Sequence, residues 1–224
     1  MRQQYTAPQI IETRQLRTEH VTELNASTID VTAAGLSGVS SVDHQFAYDK
    51  GIRGAGDLGG LCYRYWDVAG QRFSQRFVRI KPSVQILARK YLQPVGERPR
   101  LYFVAGTLLR DLVDPSKSVF ITEGEKKVLA LDRAARANGL EAVVIGIGGV
   151  WGWRYSPREL QPNGNLDKGK SRSIADLNLI RWAGRKVYLF FDSDVATNWK
   201  VAVAETALAR ELRWRGADVF IVRI

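Results

Sequence analysis

The sequence has few of the residues that build common metal and redox sites. A single cysteine, Cys62, among 224 residues excludes an internal disulfide framework and any cysteine-based zinc ribbon, and it reads as a buried thiol. Two histidines, His20 and His44, leave little material for a His-rich metal centre or a His general base. No apolar run is long enough to span a bilayer, and the N-terminus has no signal-peptide pattern. A cytoplasmic chain with no membrane partner is therefore expected. Internal repeats and low-complexity tracts are absent as well. Acid is the other scarcity: 23 Asp and Glu stand against 33 Lys and Arg, a net charge of +10. That balance favours a polyanionic partner through Coulomb attraction and counterion release. Without a long basic amphipathic helix, nucleic acid is favoured over an anionic membrane surface.

What is present falls into two halves. Residues 1–20 are polar and aperiodic, as in a flexible lead-in. Residues 21–114 are expected to form a small basic α+β subdomain. Val21–Gly35 fits one or two short helices, and Gly35–Gly60 reads as loops. Leu61–Asp67 and Arg72–Ile80 read as strands joined by a turn at Val68-Ala69-Gly70. From Gln71 to Arg100 the basic residues are Arg72, Arg76, Arg79, Lys81, Arg89, Lys90, Arg98 and Arg100, against one acid, Glu97. Phe73, Phe77 and Tyr91 are interleaved. The segment reads as a groove that follows a phosphate backbone or as a solvated face over core aromatics.

Residues 115–224 have a different texture. Strands are expected at Ser118–Thr122, Ala142–Ile147, Lys186–Phe191 and Asp218–Ile224. Helices are expected at Glu125–Asn138, Ile174–Ala183 and Trp199–Arg215, with Gly139, Gly184 and Gly216 as stops. Strands alternating with helices predict an open, mostly parallel sheet flanked by helices, where ligands gather at the carboxyl ends of the strands. Glu123 falls at one such end, and Asp192 and Asp194 at another. Carboxylates at i and i+2 can aim at one ion, and Mg²⁺ takes hard oxygen ligands. Glu123 could add a ligand or accept a proton, which is equipment for phosphoryl transfer. A lone acidic pair at a strand end can also merely cap the next helix.

These residues carry a resemblance. Ile121-Thr122-Glu123-Gly124-Glu125, Gly146-Ile147-Gly148-Gly149 and Phe190-Phe191-Asp192-Ser193-Asp194 resemble the toprim domain of bacterial and phage replicative primases. Glu123–Lys127, Gly149–Trp153 and Asp192–Asn198 are closer still to a toprim-like family in replication proteins of plasmids, phages and other mobile elements. The resemblance runs from Val119 to the C-terminus. Arg89-Lys90-Tyr91-Leu92 is similar to the Lys-Tyr-Leu segment of the basic subdomain that precedes toprim in primases.

The resemblance implies a toprim-like α/β fold behind a basic α+β subdomain. It implies Mg²⁺ or Mn²⁺ on Asp192, Asp194 and Glu123. It also implies that Arg79, Lys81, Arg89 and Lys90 face these acids and hold template or nucleotide phosphates. Lys126 and Lys127 start a helix, where one can reach phosphate or both can be solvated. Trp151 and Trp153, with Arg154, can stack on a base or plug the sheet end. Lys168–Arg172 is a phosphate-contacting loop or a solvated run. The sequence departs from primases at Thr197, where glycine is common, and in having no zinc ribbon. Toprim domains supply further acids after the strand that ends here at Ile224, so a fragment with an incomplete metal site is the expectation. The implied activity is primer synthesis from nucleoside triphosphates on single-stranded DNA, with a replicative helicase as partner. A DNA-cleaving toprim nuclease and a non-catalytic binding module of an initiator or helicase are the alternatives.

Overall fold

Strand β2 is apolar on alternating and opposite faces, and this fixes the first sheet. The computed structural model describes residues 16–84, 90–160, 166–192 and 198–223. Its N-terminal part runs α1 (Thr18–Ala26), α2 (Val31–Leu36), β1 (Val39–Val42), α3 (His44–Asp49), β2 (Gly60–Asp67) and β3 (Arg72–Pro82). The strands pair antiparallel in the order β1-β2-β3, with Cys62 opposite Ser40 on one side and Ile80 on the other. Leu61, Tyr63 and Tyr65 share a core with Leu24 of α1, whereas Cys62 joins Val42, Ala47, Val78 and Ile80 on the far face.

The Gly35–Gly60 stretch, expected as loops, contains β1 and α3. Asp43 starts the helix: its carboxylate accepts from the Phe46 amide at 2.8 Å, an N-cap. β1 owes its form to pairing with β2, a distant partner that no local pattern announces.

The second part contains β4 (Tyr102–Phe103), α4 (Leu109–Val113), β5 (Ser118–Thr122), α5 (Glu125–Ala137) and β6 (Ala142–Gly146). Short strands β7 (Arg154–Tyr155), β8 (Arg158–Leu160), β9 (Leu166–Lys168) and β10 (Arg172–Ser173) follow. A 3₁₀ turn (Ala175–Leu179), β11 (Lys186–Phe190), α6 (Trp199–Trp214) and β12 (Asp218–Val222) complete it. The five-stranded sheet has the order β12-β11-β5-β6-β4. Its first four strands are mutually parallel, and β4 runs antiparallel beside β6. Successive β5 side chains face opposite sides. Val119 and Ile121 pack with Leu208 and Leu212 of α6, while Phe120 packs with Val128 and Leu129 of α5. Helices thus cover both faces. The α5-side core also takes in Leu24, Tyr63 and Tyr65, so the two sheets share apolar contacts through α5.

Ile174–Ala183, expected as an α-helix, forms only the 3₁₀ turn. Its buried residues Ile174, Leu177 and Ile180 recur every three residues, the 3₁₀ period rather than the α period. The Trp182 indole donates to the Leu177 carbonyl at 2.7 Å and the Arg181 amide to Leu112 at 3.0 Å, which turns the chain away. Among the described residues no helix is long and apolar enough to cross a membrane.

Candidate active site

Parallel pairing brings the two acidic segments together. Phe190 of β11 lies in register with Thr122 of β5, so Glu123 and Asp192 leave the same end of the sheet. The Asp192 amide donates to Glu123 Oε1 at 2.9 Å. Lys127, one turn along α5 from Glu123, sets its Nζ 2.5 Å from Glu123 Oε2 and also against Asp192 Oδ1. One ammonium therefore touches both carboxylates. The Glu123 side chain is 13% exposed and that of Asp192 52%, so the pair opens to solvent on the Asp192 side.

The electrostatics follow from this contact. Burial works against the charge on Asp192. The Lys127 ammonium outweighs burial, and the charge of Lys90 adds to it, so the carboxyl stays below the usual carboxylate range. Burial would also lower Lys127, but the two carboxylates raise it above its ordinary value. The rim is set by glycines. The Gly149 amide donates to the Glu123 carbonyl at 2.5 Å with φ at +109°, and a Cβ on Gly152 would lie 1.6 Å from the Ile147 carbonyl oxygen.

The other expected residues divide. Lys90 is exposed and near enough to act on Asp192. Arg79 is largely buried: its Nη1 donates to Glu125 Oε1 at 2.7 Å, and its guanidinium lies 4.6 Å from the Tyr91 ring centroid. Lys81 and Lys126 both bind Glu23 of α1, at 2.7 and 2.8 Å, and so turn toward α1. Burial alone would raise Glu23, but the two lysines hold it below its ordinary range. Trp151 is partly buried against the α6-side core, with the Arg154 guanidinium 3.8 Å from its ring centroid, and Trp153 is buried. Asp194 and Arg89 lie outside the described residues.

Two residues central to this geometry escaped the sequence reading. Glu125 is fully buried and takes Arg79 and, at 2.6 Å, the Tyr65 hydroxyl on Oε1, while its Oε2 has no partner among the described residues. Glu23 gathers two lysines from distant segments. Both pairings are long-range. Only the doubling of acid in Glu123-Gly124-Glu125 hints that the second glutamate faces elsewhere. Among the described residues no group of three or more His, Cys, Asp or Glu side chains could hold a metal. The donor set present is the Glu123–Asp192 pair, which already accommodates one cation, the Lys127 ammonium.

A parallel sheet flanked by helices, with carboxylates at its strand ends and a basic antiparallel sheet before it, is a primase-like α/β fold. The chain is similar to the crystal structure of the Aquifex aeolicus primase (zinc binding and RNA polymerase domains), with a TM-score of 0.59 and 13% identity. The similarity covers 93% of this chain and 50% of that one, so the chain spans about half the length of the primase it matches. By sequence, the chain belongs to the family described as "Domain of unknown function (DUF3854)", whose model matches residues 111–224. No curated protein matches it.

Proposed function

We propose that this chain is the Mg²⁺-dependent nucleotidyltransferase core of a primase-type, toprim-containing replication protein of a mobile element, acting on single-stranded DNA. The observation that carries this reading is the meeting of Glu123 and Asp192 at the carboxyl ends of adjacent parallel strands, around a single cation. Two hard-oxygen donors that hold an ammonium suit a magnesium ion, which takes one or two carboxylates and completes its shell with water and phosphate oxygens. Glu123 and Asp192 would hold the ion, with Asp194 as the expected third ligand. When bound, the metal neutralises phosphate charge and lowers the pKa of a coordinated hydroxyl. The chain's own residues do the rest. Glu123, the more enclosed carboxylate, would take the proton of an attacking 3′-hydroxyl where it does not serve as a ligand. Lys127, displaced from the carboxylates, can meet the nucleoside triphosphate, and exposed Lys90 grips the template. A partner helicase and residues 21–114 as template-binding subdomain belong to the same proposal.

Primer synthesis by the purified protein on single-stranded templates, with Mg²⁺ or Mn²⁺ and labelled nucleotides, is the test. Product is expected from the parent and none from Asp192→Asn, which should still bind the strand. Absence of product on every template would overturn the reading. One observation favours the non-catalytic alternative: Lys127 already neutralises both carboxylates. That alternative predicts that Asp192→Asn leaves replication intact. A nicking assay on plasmid DNA separates the nuclease reading.

A further inference from the structure

Helix α6 buries one side under the sheet and leaves an unusual surface on the other. Ala204, Leu208 and Leu212 face the core. At about 100° per residue, Trp199, Val203, Arg210 and Trp214 fall within one narrow sector opposite that stripe. Trp199 is 69% exposed and Trp214 81%. Tryptophan is highly buried on average, so two on the solvent side of one helix mark a contact surface. They stand about 22 Å apart along the axis, at 1.5 Å per residue.

The charge around the stripe is one-sided. Glu205 is buried and held by both terminal nitrogens of Arg223, at 2.6 and 2.7 Å, and Glu211 is held by Arg215 at 2.8 Å. Both acids of the helix are thus neutralised, and Lys200, Arg210 and Arg213 have no carboxylate partner among the described residues. At the Trp214 end a cleft of about 330 Å³ opens between the helix and the β7–β10 ribbon. Arg154, Arg172, Arg210, Trp153 and Trp214 line it. The buried Trp153 indole N–H finds no acceptor among the described residues. At its other end the helix starts beyond Asp192, at the carboxylate end of the sheet.

We infer that this face of α6 and the adjoining cleft bind single-stranded nucleic acid. Bases stack on Trp199 and Trp214, and phosphates lie against Arg210 and the cleft arginines. Stacking on exposed indoles is tolerant of sequence, and the arginines supply the affinity for the backbone. A protein surface docking here would meet the same tryptophans, but it would have to be acidic to match the charge. The inference shares its partner with the proposed function and uses a different surface, with no metal required.

The test is fluorescence anisotropy of a labelled oligothymidylate with the full chain in EDTA, across a salt series. Trp214→Ala is expected to weaken binding about 5- to 100-fold without changing the salt slope. Arg210→Gln is expected to reduce the slope of log K against log salt by about 0.7. Both positions are exposed, and far-UV circular dichroism checks that the fold is kept. Unchanged binding in both variants overturns the inference. So does a parent that dimerises through Trp214 in sedimentation while oligonucleotide binding ignores that residue. If primer synthesis fails yet Trp214→Ala still weakens binding, the catalytic reading falls and this one stands.

Discussion

Two carboxylates brought to one sheet end repel each other, and here Lys127 answers that repulsion from four residues along the helix. The same ammonium opposes any divalent ion that approaches Glu123 and Asp192. A neighbouring positive charge lowers a carboxylate's affinity for a proton by about one to three decades, and the same repulsion acts on a metal ion. Lys127→Met should therefore bind Mn²⁺ about tenfold or more tightly than the parent, measured by electron paramagnetic resonance of free Mn²⁺. Without metal the variant should be about 1 kcal/mol or less destabilised, because the pair is partly exposed. Added Mn²⁺ should then raise its Tm more than that of the parent. Equal affinities would show that Lys127 does not guard the pair. The Arg79–Glu125–Tyr65 cluster is the opposite case. It lies deep between β2, β3 and α5, where losing one ionic partner strands a charge. Arg79→Met is expected to cost about 3–5 kcal/mol in urea unfolding. A loss under about 1 kcal/mol, as for an exposed pair, would mean that water reaches Glu125.

At the scale of elements, α1 is fastened by polar contacts as much as by Leu24. Glu23 ties it to Lys81 of β3 and Lys126 of α5, and His20 reaches Ser41 at 2.7 Å and Ser83 at 3.2 Å. Burial pushes the His20 imidazole below its usual range. Glu19 and Glu23 pull it up, while Arg17 and Lys81 push it down. Because the folded value is depressed, the unfolded chain takes the proton first as pH falls below 6.5. Stability present above that pH is lost progressively down to the folded pKa, by at most about 1.4 kcal/mol per pH unit for one proton. His20→Gln should flatten the change in urea midpoint between about pH 7.5 and about pH 5.5. An unchanged pH profile would rule out His20 as its source. The same contacts explain what was legible in advance. β5, α5, β6, β11, α6 and β12 announce themselves by local period: Val119 and Ile121 alternate, and Ala204, Leu208 and Leu212 recur every turn. The strand-end placement of Glu123 and Asp192 followed from that. β1 and α3 were missed because a distant strand and one capping carboxylate define them, and the 174–183 turn because its three-residue period was read as helical. Glu125 and Glu23 were missed because their partners lie far along the chain.

For the whole molecule, the 33 Lys and Arg overstate how many cations a nucleic acid can contact. Several basic residues that look available in sequence are tied to carboxylates: Arg79 to Glu125, Lys81 and Lys126 to Glu23, and Lys127 to the acidic pair. The charges left outward include Lys90 beside Asp192 and those on α6. Counterion release counts only phosphates that are neutralised, at about 0.7 per contact for a single strand. Lys90→Gln should therefore lower the salt slope of oligonucleotide binding by about 0.7. Lys81→Gln and Lys126→Gln should leave the slope where it is and instead loosen α1, seen as faster amide exchange over Thr18–Ala26. The two classes differ in kind as well as size, since one changes binding at constant stability and the other changes local stability at constant binding. If Lys81→Gln lowers the slope as much as Lys90→Gln does, the Glu23 pairing yields to nucleic acid. The basic sheet would then act as a single groove, the first of the two readings open in its sequence.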